Sequence, residues 1–229
     1  MDESKRLPDY YREKYVSWYS WFSRIYDPFV KIGLFLLNGG SGGERRLREF
    51  VIDRVDPSPG DRVIDICSGT GTLSLMLAER LSGSGEVAGV EISDYQINIA
   101  RRKPAPANLT FTLADAQHIP YDDEYFDGAV IFGALHEIPR EVRRNILAQA
   151  YRVLKPGGRI VHLEHNRPER TWRARLYRFL EWPTPEYPTY IDLLDRGLGN
   201  EIAEAGFQVR KTEAVAAEFF QVVMAEKPR

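Results

Sequence analysis

The chain has 229 residues, a hydrophobic fraction of 43% and a charged fraction of 28%, which suits one domain with a full core and excludes a wholly disordered chain. A net charge of −2 gives no global attraction to nucleic acid, and the one cysteine, Cys67, excludes an internal disulfide. The first residues lack the apolar region of a signal peptide, and no run of apolar residues is long enough to span a bilayer. The expectation is a cytoplasmic protein, with peripheral contact at a membrane surface left open.

The first segment, residues 10–37, is rich in Tyr, Trp and Phe, with Tyr11, Tyr15, Trp18 and Phe22 at helical spacing. It leads into the glycine-rich stretch 38–43, so residues 1–43 read as a helical aromatic cap and linker ahead of one domain, 44–229. In that domain a helix is expected at 44–55, then a strand over Arg62 to Cys67 and a helix over Thr72 to Leu81. A second strand, Glu86 to Glu91, precedes a helix over Asp94 to Arg102 with Asp94 as its cap. Leu109 to Leu113 and Phe126 to Phe132 are the third and fourth strands. A helix from Glu141 to Leu154 stops at Lys155-Pro156-Gly157-Gly158, ahead of a fifth strand over Arg159 to Leu163. An insertion at about 166–195 carries Arg167, Arg170, Arg173, Arg175 and Arg178 beside Trp172, Leu176, Phe179 and Leu180. Such a basic amphipathic helix can cover a cleft or lie on an anionic membrane surface. The chain closes with a helix over Leu198 to Ala205 and two strands, 207–213 and 218–225, close enough to form an antiparallel hairpin. Strands separated by helices imply a doubly wound, mostly parallel α/β sheet of seven strands, Rossmann-like in layout.

Two features carry chemistry. Asp65-Ile66-Cys67-Ser68-Gly69-Thr70-Gly71 joins a strand to a helix, and its glycines allow a ligand close to the backbone. Glu91 ends the next strand, where an acid can accept both ribose hydroxyls of a nucleoside. A dinucleotide fingerprint wants Gly or Ala where Ser74 stands, and Asp65 would repel a pyrophosphate but suits an ammonium. His136 and Glu137 follow the fourth strand and His165 follows the fifth, at the strand ends that face the cleft, so all three are candidates for substrate contact or proton removal. His118 reads as a surface residue and Cys67 as a small loop residue. His162, Glu164 and His165 lack a zinc-ligand spacing, so no metal is expected.

These motifs, VIDICSGTGTLS (63–74), GVEIS (89–93), ADAQHIPYDDEYFDGAV (114–130) and LKPGGRIV (154–161), resemble the class I S-adenosylmethionine (SAM)-dependent methyltransferases. Within them the chain is similar to the ubiquinone/menaquinone-biosynthesis group. The resemblance covers about residues 45–165. It implies that Asp65 faces the methionine ammonium and that Ser68, Gly69, Thr70 and Gly71 wall the methionine half. Glu91 would hold the ribose, Ile92 pack on the adenine, Asp115 accept the adenine amino group beside Ala116, and Phe132 lie under the sulfonium. Ser68 departs from the glycine often found there. Tyr26-Asp27, in SRIYDPF, resembles a Tyr-Asp pair often seen there in relatives, and Tyr26 is expected to touch SAM or the acceptor. The expected activity is methyl transfer to an apolar small molecule or lipid, a quinol or a phospholipid head group, by a monomer or homodimer. An amine or other small metabolite is the alternative acceptor, and a non-catalytic SAM-binding protein the alternative of another class.

Overall fold

The computed structural model describes residues 43–167, 172, 187–216 and 218–229. Tyr26, the aromatic cap and most of the arginine-rich insertion lie outside the described residues.

The elements run in chain order α1 (Gly43–Val55), β1 (Arg62–Ile66), α2 (Thr72–Arg80), β2 (Glu86–Glu91), α3 (Asp94–Arg102), β3 (Leu109–Leu113), β4 (Phe126–Phe132), α4 (Arg140–Val153), β5 (Leu154–His165), α5 (Tyr187–Arg196), α6 (Leu198–Glu204), β6 (Gln208–Val215) and β7 (Phe220–Glu226). Short 3-10 turns follow β3 (Ala116–His118) and β4 (Leu135–Glu137). One sheet has the order β3-β2-β1-β4-β5-β7-β6. The first five strands pair in parallel, while β7 runs antiparallel to both β5 and β6. The doubly wound sheet with its C-terminal hairpin is therefore as the sequence implies.

The central strands are apolar on both faces because helices cover both. Ile64, Ile66, Val90, Ile131 and Ile160 pack with α4 and α6 on one side. Val63, Val130, Val161 and Leu163 pack with α1 and α2 on the other. A parallel sheet buried this way hides its backbone polar groups in its own ladders and leaves only strand ends for chemistry. The order reverses between β2-β1 and β4-β5, so the C-terminal ends of β1 and β4 flank the crevice.

Two local readings are corrected. The cap of α3 is Ser93, whose hydroxyl accepts from the Gln96 N–H at 3.4 Å, not Asp94. Asp94 is the first helical residue, where its charge meets the positive helix end. The 155–158 stretch is not a loop. β5 already starts at Leu154, opposite Phe126, because the Gly157 N–H donates to the Lys227 carbonyl and the Lys227 N–H to that of Gly158. Those bonds draw the Pro-Gly-Gly stretch into the sheet, with Gly157 at φ 81 absorbing the bend.

The end of the expected insertion is ordered as α5, with Tyr190 and Leu193 buried against the 135–137 turn. Fully buried Arg143 of α4 fixes it there. Its guanidinium donates to Glu201 of α6 at 2.6 and 2.8 Å, to Asp192 of α5 at 2.5 Å and to the Ile138 carbonyl at 2.8 Å.

Candidate active site

The C-terminal ends of the first three strands each present a carboxylate. Asp65 is 1% exposed and accepts the Ser74 hydroxyl at 2.5 Å. Burial pushes its carboxyl up to about 7, although Ser74 and the charge of Arg48 pull the other way. Glu91 is buried, with one oxygen accepting the Gly69 N–H and the other the Ser93 N–H, each at 2.9 Å. Burial raises its carboxyl too, against those two hydrogen bonds. Asp115 caps the 116–118 turn, accepting the Gln117 N–H at 2.8 Å and its side-chain amide at 3.1 Å. The Ala114 N–H donates to the Glu91 carbonyl at 2.9 Å and so ties the second and third carboxylates together.

The 67–71 loop threads between them. Cys67 and Gly69 stand at φ 61 and 57, and a side chain at Gly71 would meet the Phe111 ring at 2.4 Å. The glycine is needed for both conformation and space. Burial pushes the Cys67 thiol up, which removes it as a nucleophile at neutral pH. Ser68 Oγ is buried without a hydrogen-bond partner. An orphaned hydroxyl at the mouth of a glycine loop, with three carboxylates on adjacent strand ends, fits a nucleoside bearing an ammonium. Ile92 and Ala116 pack beside these acids on the core. All the expected cofactor residues on β1–β3 thus converge. Phe132, at the end of β4, lies beside them with the Arg48 guanidinium 4.9 Å from its ring centroid. Ser74 is not among the site residues expected from the sequence, and its signal there is a hydroxyl on the α2 face that meets β1.

The ends of β4 and β5 hold a second cluster. His136 Nδ1 stands 2.8 Å from Glu164 Oε1, and the acceptor-only carboxylate makes Nδ1 the donor. The same carboxylate accepts the N–H groups of Leu135 at 2.9 Å, His136 at 3.2 Å and His165 at 2.8 Å. The His136 and His165 rings meet with centroids 4.3 Å apart, and Tyr190 of α5 stands edge-on to His165 at 5.2 Å. Glu137 Oε1 is 3.5 Å from His136 Nε2.

Charge separates the two expected histidines. Burial opposes the His136 charge, but Glu164 and Glu137 outweigh it and hold its pKa well above the usual histidine range. Burial and the neighbouring His136 charge depress His165 to about 3. His136 is therefore an imidazolium at neutral pH and His165 a neutral ring. Burial would raise the Glu164 carboxyl, but the His136 charge and hydrogen bonds hold it well below the carboxylate range.

His136, Glu164 and His165 bring ligand atoms within 4.8 Å of one another, as a metal would need. The four hydrogen bonds to Glu164 already fill the roughly four lone-pair sites of a carboxylate, so this is a hydrogen-bonded cluster. Sequence reasoning named His136, Glu137 and His165 but gave Glu164 no role. The ionisable run His162, Glu164, His165 at the buried end of the strand is the signal. His118 is exposed, as expected, and His162 is fully buried.

A family model described as a methyltransferase domain matches residues 63–158. The chain is 35% identical over 156 residues to a demethylmenaquinone methyltransferase of Symbiobacterium thermophilum, covering 66% of this chain and 59% of that protein. It is 35% identical over 142 residues to a ubiquinone/menaquinone biosynthesis C-methyltransferase of Ectopseudomonas mendocina, covering 60% and 55%. The chain thus spans under two thirds of the length of the curated relatives it matches. The crystal structure of a SAM dependent methyltransferase from Aquifex aeolicus superimposes with a TM-score of 0.63, at 19% identity, over 78% of this chain and 88% of that one. Motifs, strand order and these likenesses agree: residues 63–158 match a methyltransferase domain, in a chain that resembles the class I SAM-dependent methyltransferases and, within them, the ubiquinone/menaquinone-biosynthesis group.

Proposed function

We propose that the protein transfers a methyl group from SAM to an apolar small molecule or lipid, a quinol in the first place. The observation that carries this reading is the meeting of two clusters at one sheet edge: Asp65, Glu91 and Asp115 on β1–β3, and His136, Glu164 and His165 on β4–β5. SAM supplies an electrophilic methyl on a sulfonium when bound. Asp65, Ser68 and the 69–71 backbone hold its methionine half, Glu91 its ribose, Asp115 and Ile92 its adenine. On the other side, His136 keeps its proton and orients the acceptor oxygen. His165, neutral at physiological pH, presents a ring that can take a hydrogen bond from the acceptor, while its depressed pKa makes it a weak base. Tyr190 and Phe220, with ring centroids 5.2 and 5.1 Å from that of His165, give this half an aromatic wall suited to a flat apolar acceptor.

The named activities of the relatives support a quinone-type acceptor. Trp172, in the insertion, is exposed, which suits contact with a membrane where such acceptors reside. Among the described residues no helix is long and apolar enough to cross one. A second acceptor class, an amine, is favoured by one feature: Glu137 and Glu164 outnumber the single imidazolium between them.

The test is transfer of label from methyl-labelled SAM to a naphthoquinol, to phospholipid vesicles with amine head groups, and to small polar amines. Labelled naphthoquinol is the expected product. Label in the polar amine alone overturns the apolar acceptor, and no S-adenosylhomocysteine with any acceptor overturns the transferase reading.

A further inference from the structure

Arg143 is a fully buried cation that neither cluster employs. Its Nε and Nη2 make a two-pronged contact with Glu201 of α6 at 2.8 and 2.6 Å. Nη2 also donates to Asp192 of α5 at 2.5 Å, and Nη1 to the Ile138 carbonyl at 2.8 Å. Packing three helices together does not require this. A buried ion pair stabilises little more than an apolar contact of the same size, because both charges lose their water. What it adds is direction, since the planar fork meets its partners only in its own plane.

The partners lie where direction matters to the acceptor side. Ile138 closes the 135–137 turn, donating its N–H to the Leu135 carbonyl at 3.1 Å, and that turn carries His136. Asp192 shares α5 with Tyr190, whose ring stands edge-on to those of His165 and His136 at 5.2 and 6.5 Å between centroids. Tyr190 and His165 are both buried. The charged groups that act on His165 are His136, Glu164 and Glu137, and none of these is on α5. What α5 gives His165 is therefore cover from water. The two carboxylates on Arg143 differ in depth. Glu201 is buried and anchors the guanidinium, whereas Asp192 is 39% exposed and also accepts from Arg196 at 3.1 Å.

We infer that Arg143 is a positioning residue for the acceptor: it clamps α5 to the 135–137 turn and so holds Tyr190 over His165. The inference rests on the reading of this sheet edge as the acceptor side. Arg143 acts through the two backbone segments that carry the rings.

The experiment uses Asp192→Ala in the full chain, because replacing Arg143 would leave Glu201 buried without its cation. Two readouts are taken. One is kcat/KM for a naphthoquinol, beside S-adenosylhomocysteine affinity by calorimetry. The other is NMR of the histidine rings from about pH 5 to 8, which needs no acceptor. Asp192→Ala should lower kcat/KM about 10- to 100-fold and leave S-adenosylhomocysteine affinity unchanged. His165, neutral throughout in the parent, should titrate within that range once water reaches it. Asp192→Asn, which keeps an oxygen for Nη2, should restore most of both, and Arg196→Gln should change neither. In a Tyr190→Ala background Asp192→Ala should cause no further loss, since both act on one ring. Parental kcat/KM, or a His165 still neutral, in Asp192→Ala would overturn the inference whatever the change in melting temperature. An equal loss of S-adenosylhomocysteine affinity would overturn it too. A parent that leaves the naphthoquinol unmethylated would instead sink the acceptor reading, and the His165 titration then decides the clamp alone.

Discussion

Glu91 and Glu164 are both buried carboxylates at the ends of parallel strands, yet they are partnered in opposite ways. Each oxygen of Glu91 accepts one backbone N–H, so about half of its lone-pair sites are open to a ligand. Glu164 receives four donors and has no capacity left. The β1–β3 half is thus prepared to receive hydrogen bonds from outside. The β4–β5 half spends its carboxylate internally, to fix the charge and orientation of His136. On the proposed reading, one half binds and the other positions.

The largest effect expected from that contrast is on stability. Glu164→Ala leaves an imidazolium and three N–H groups buried without their acceptor, and unfolding in urea should show a loss of about 3–5 kcal/mol. A loss below about 1 kcal/mol would mean that water reaches the cluster and that it is not the closed unit described. Glu91→Ala should act chiefly on binding. Losing the ribose acceptor should weaken SAM affinity by about 2–4 kcal/mol in calorimetry. SAM affinity equal to the parent's would remove Glu91 from the cofactor site.

The two histidines sharpen the same comparison. With a phenolic or carbon acceptor, His165→Ala should lower turnover about a hundredfold while SAM affinity stays as it was. His136→Gln, which removes the charge opposite Glu164, should lower both turnover and stability. If both variants kept full turnover, neither ring would be a proton acceptor, and an acceptor that arrives already deprotonated would be favoured.

How legible each half was follows from where its parts lie in the chain. Asp65 to Gly71 and Glu91 are contiguous pieces at strand ends, so alternation and glycine spacing expose them. All seven strands, and the hairpin that ends the sheet, were visible for the same reason. The other half is built from distant pieces: Glu164 meets the 135–136 turn, and Tyr190 arrives on a helix that opens Tyr187-Pro188. That helix lies at the end of the stretch read as an insertion for its arginines and aromatics, although the proline it carries is tolerated in the first turn of a helix. The strand-like start of β5 was hidden because its partner, Lys227, is the far end of the chain. Pattern shows a residue's face, whereas the number of donors that converge on a carboxylate is set by tertiary contacts.

The smallest effect expected is on Ser74, and it tests whether Asp65 is poised as a receiver. The Ser74 hydroxyl favours the ionised carboxyl, and burial opposes it, leaving the group to titrate at about 7. Because that value lies above the unfolded one, the contribution of Asp65 to stability is present at acid pH, below the unfolded carboxyl value, and is lost as pH rises through about 7. An ammonium needs the ionised form, so S-adenosylhomocysteine should bind more tightly as pH rises across that window. Ser74→Ala removes the bond that helps ionisation, which moves the window to higher pH. It should weaken binding at neutral pH by about 1 kcal/mol, with most of the loss recovered in alkali. Asp65→Asn should flatten the profile and stabilise the ligand-free protein above neutral pH, where the parent carries a buried charge. Dissociation constants measured between about pH 6 and 8.5 decide the matter. A profile in Ser74→Ala that overlays the parent's would show that the hydroxyl only packs and that Asp65 is ionised by other means.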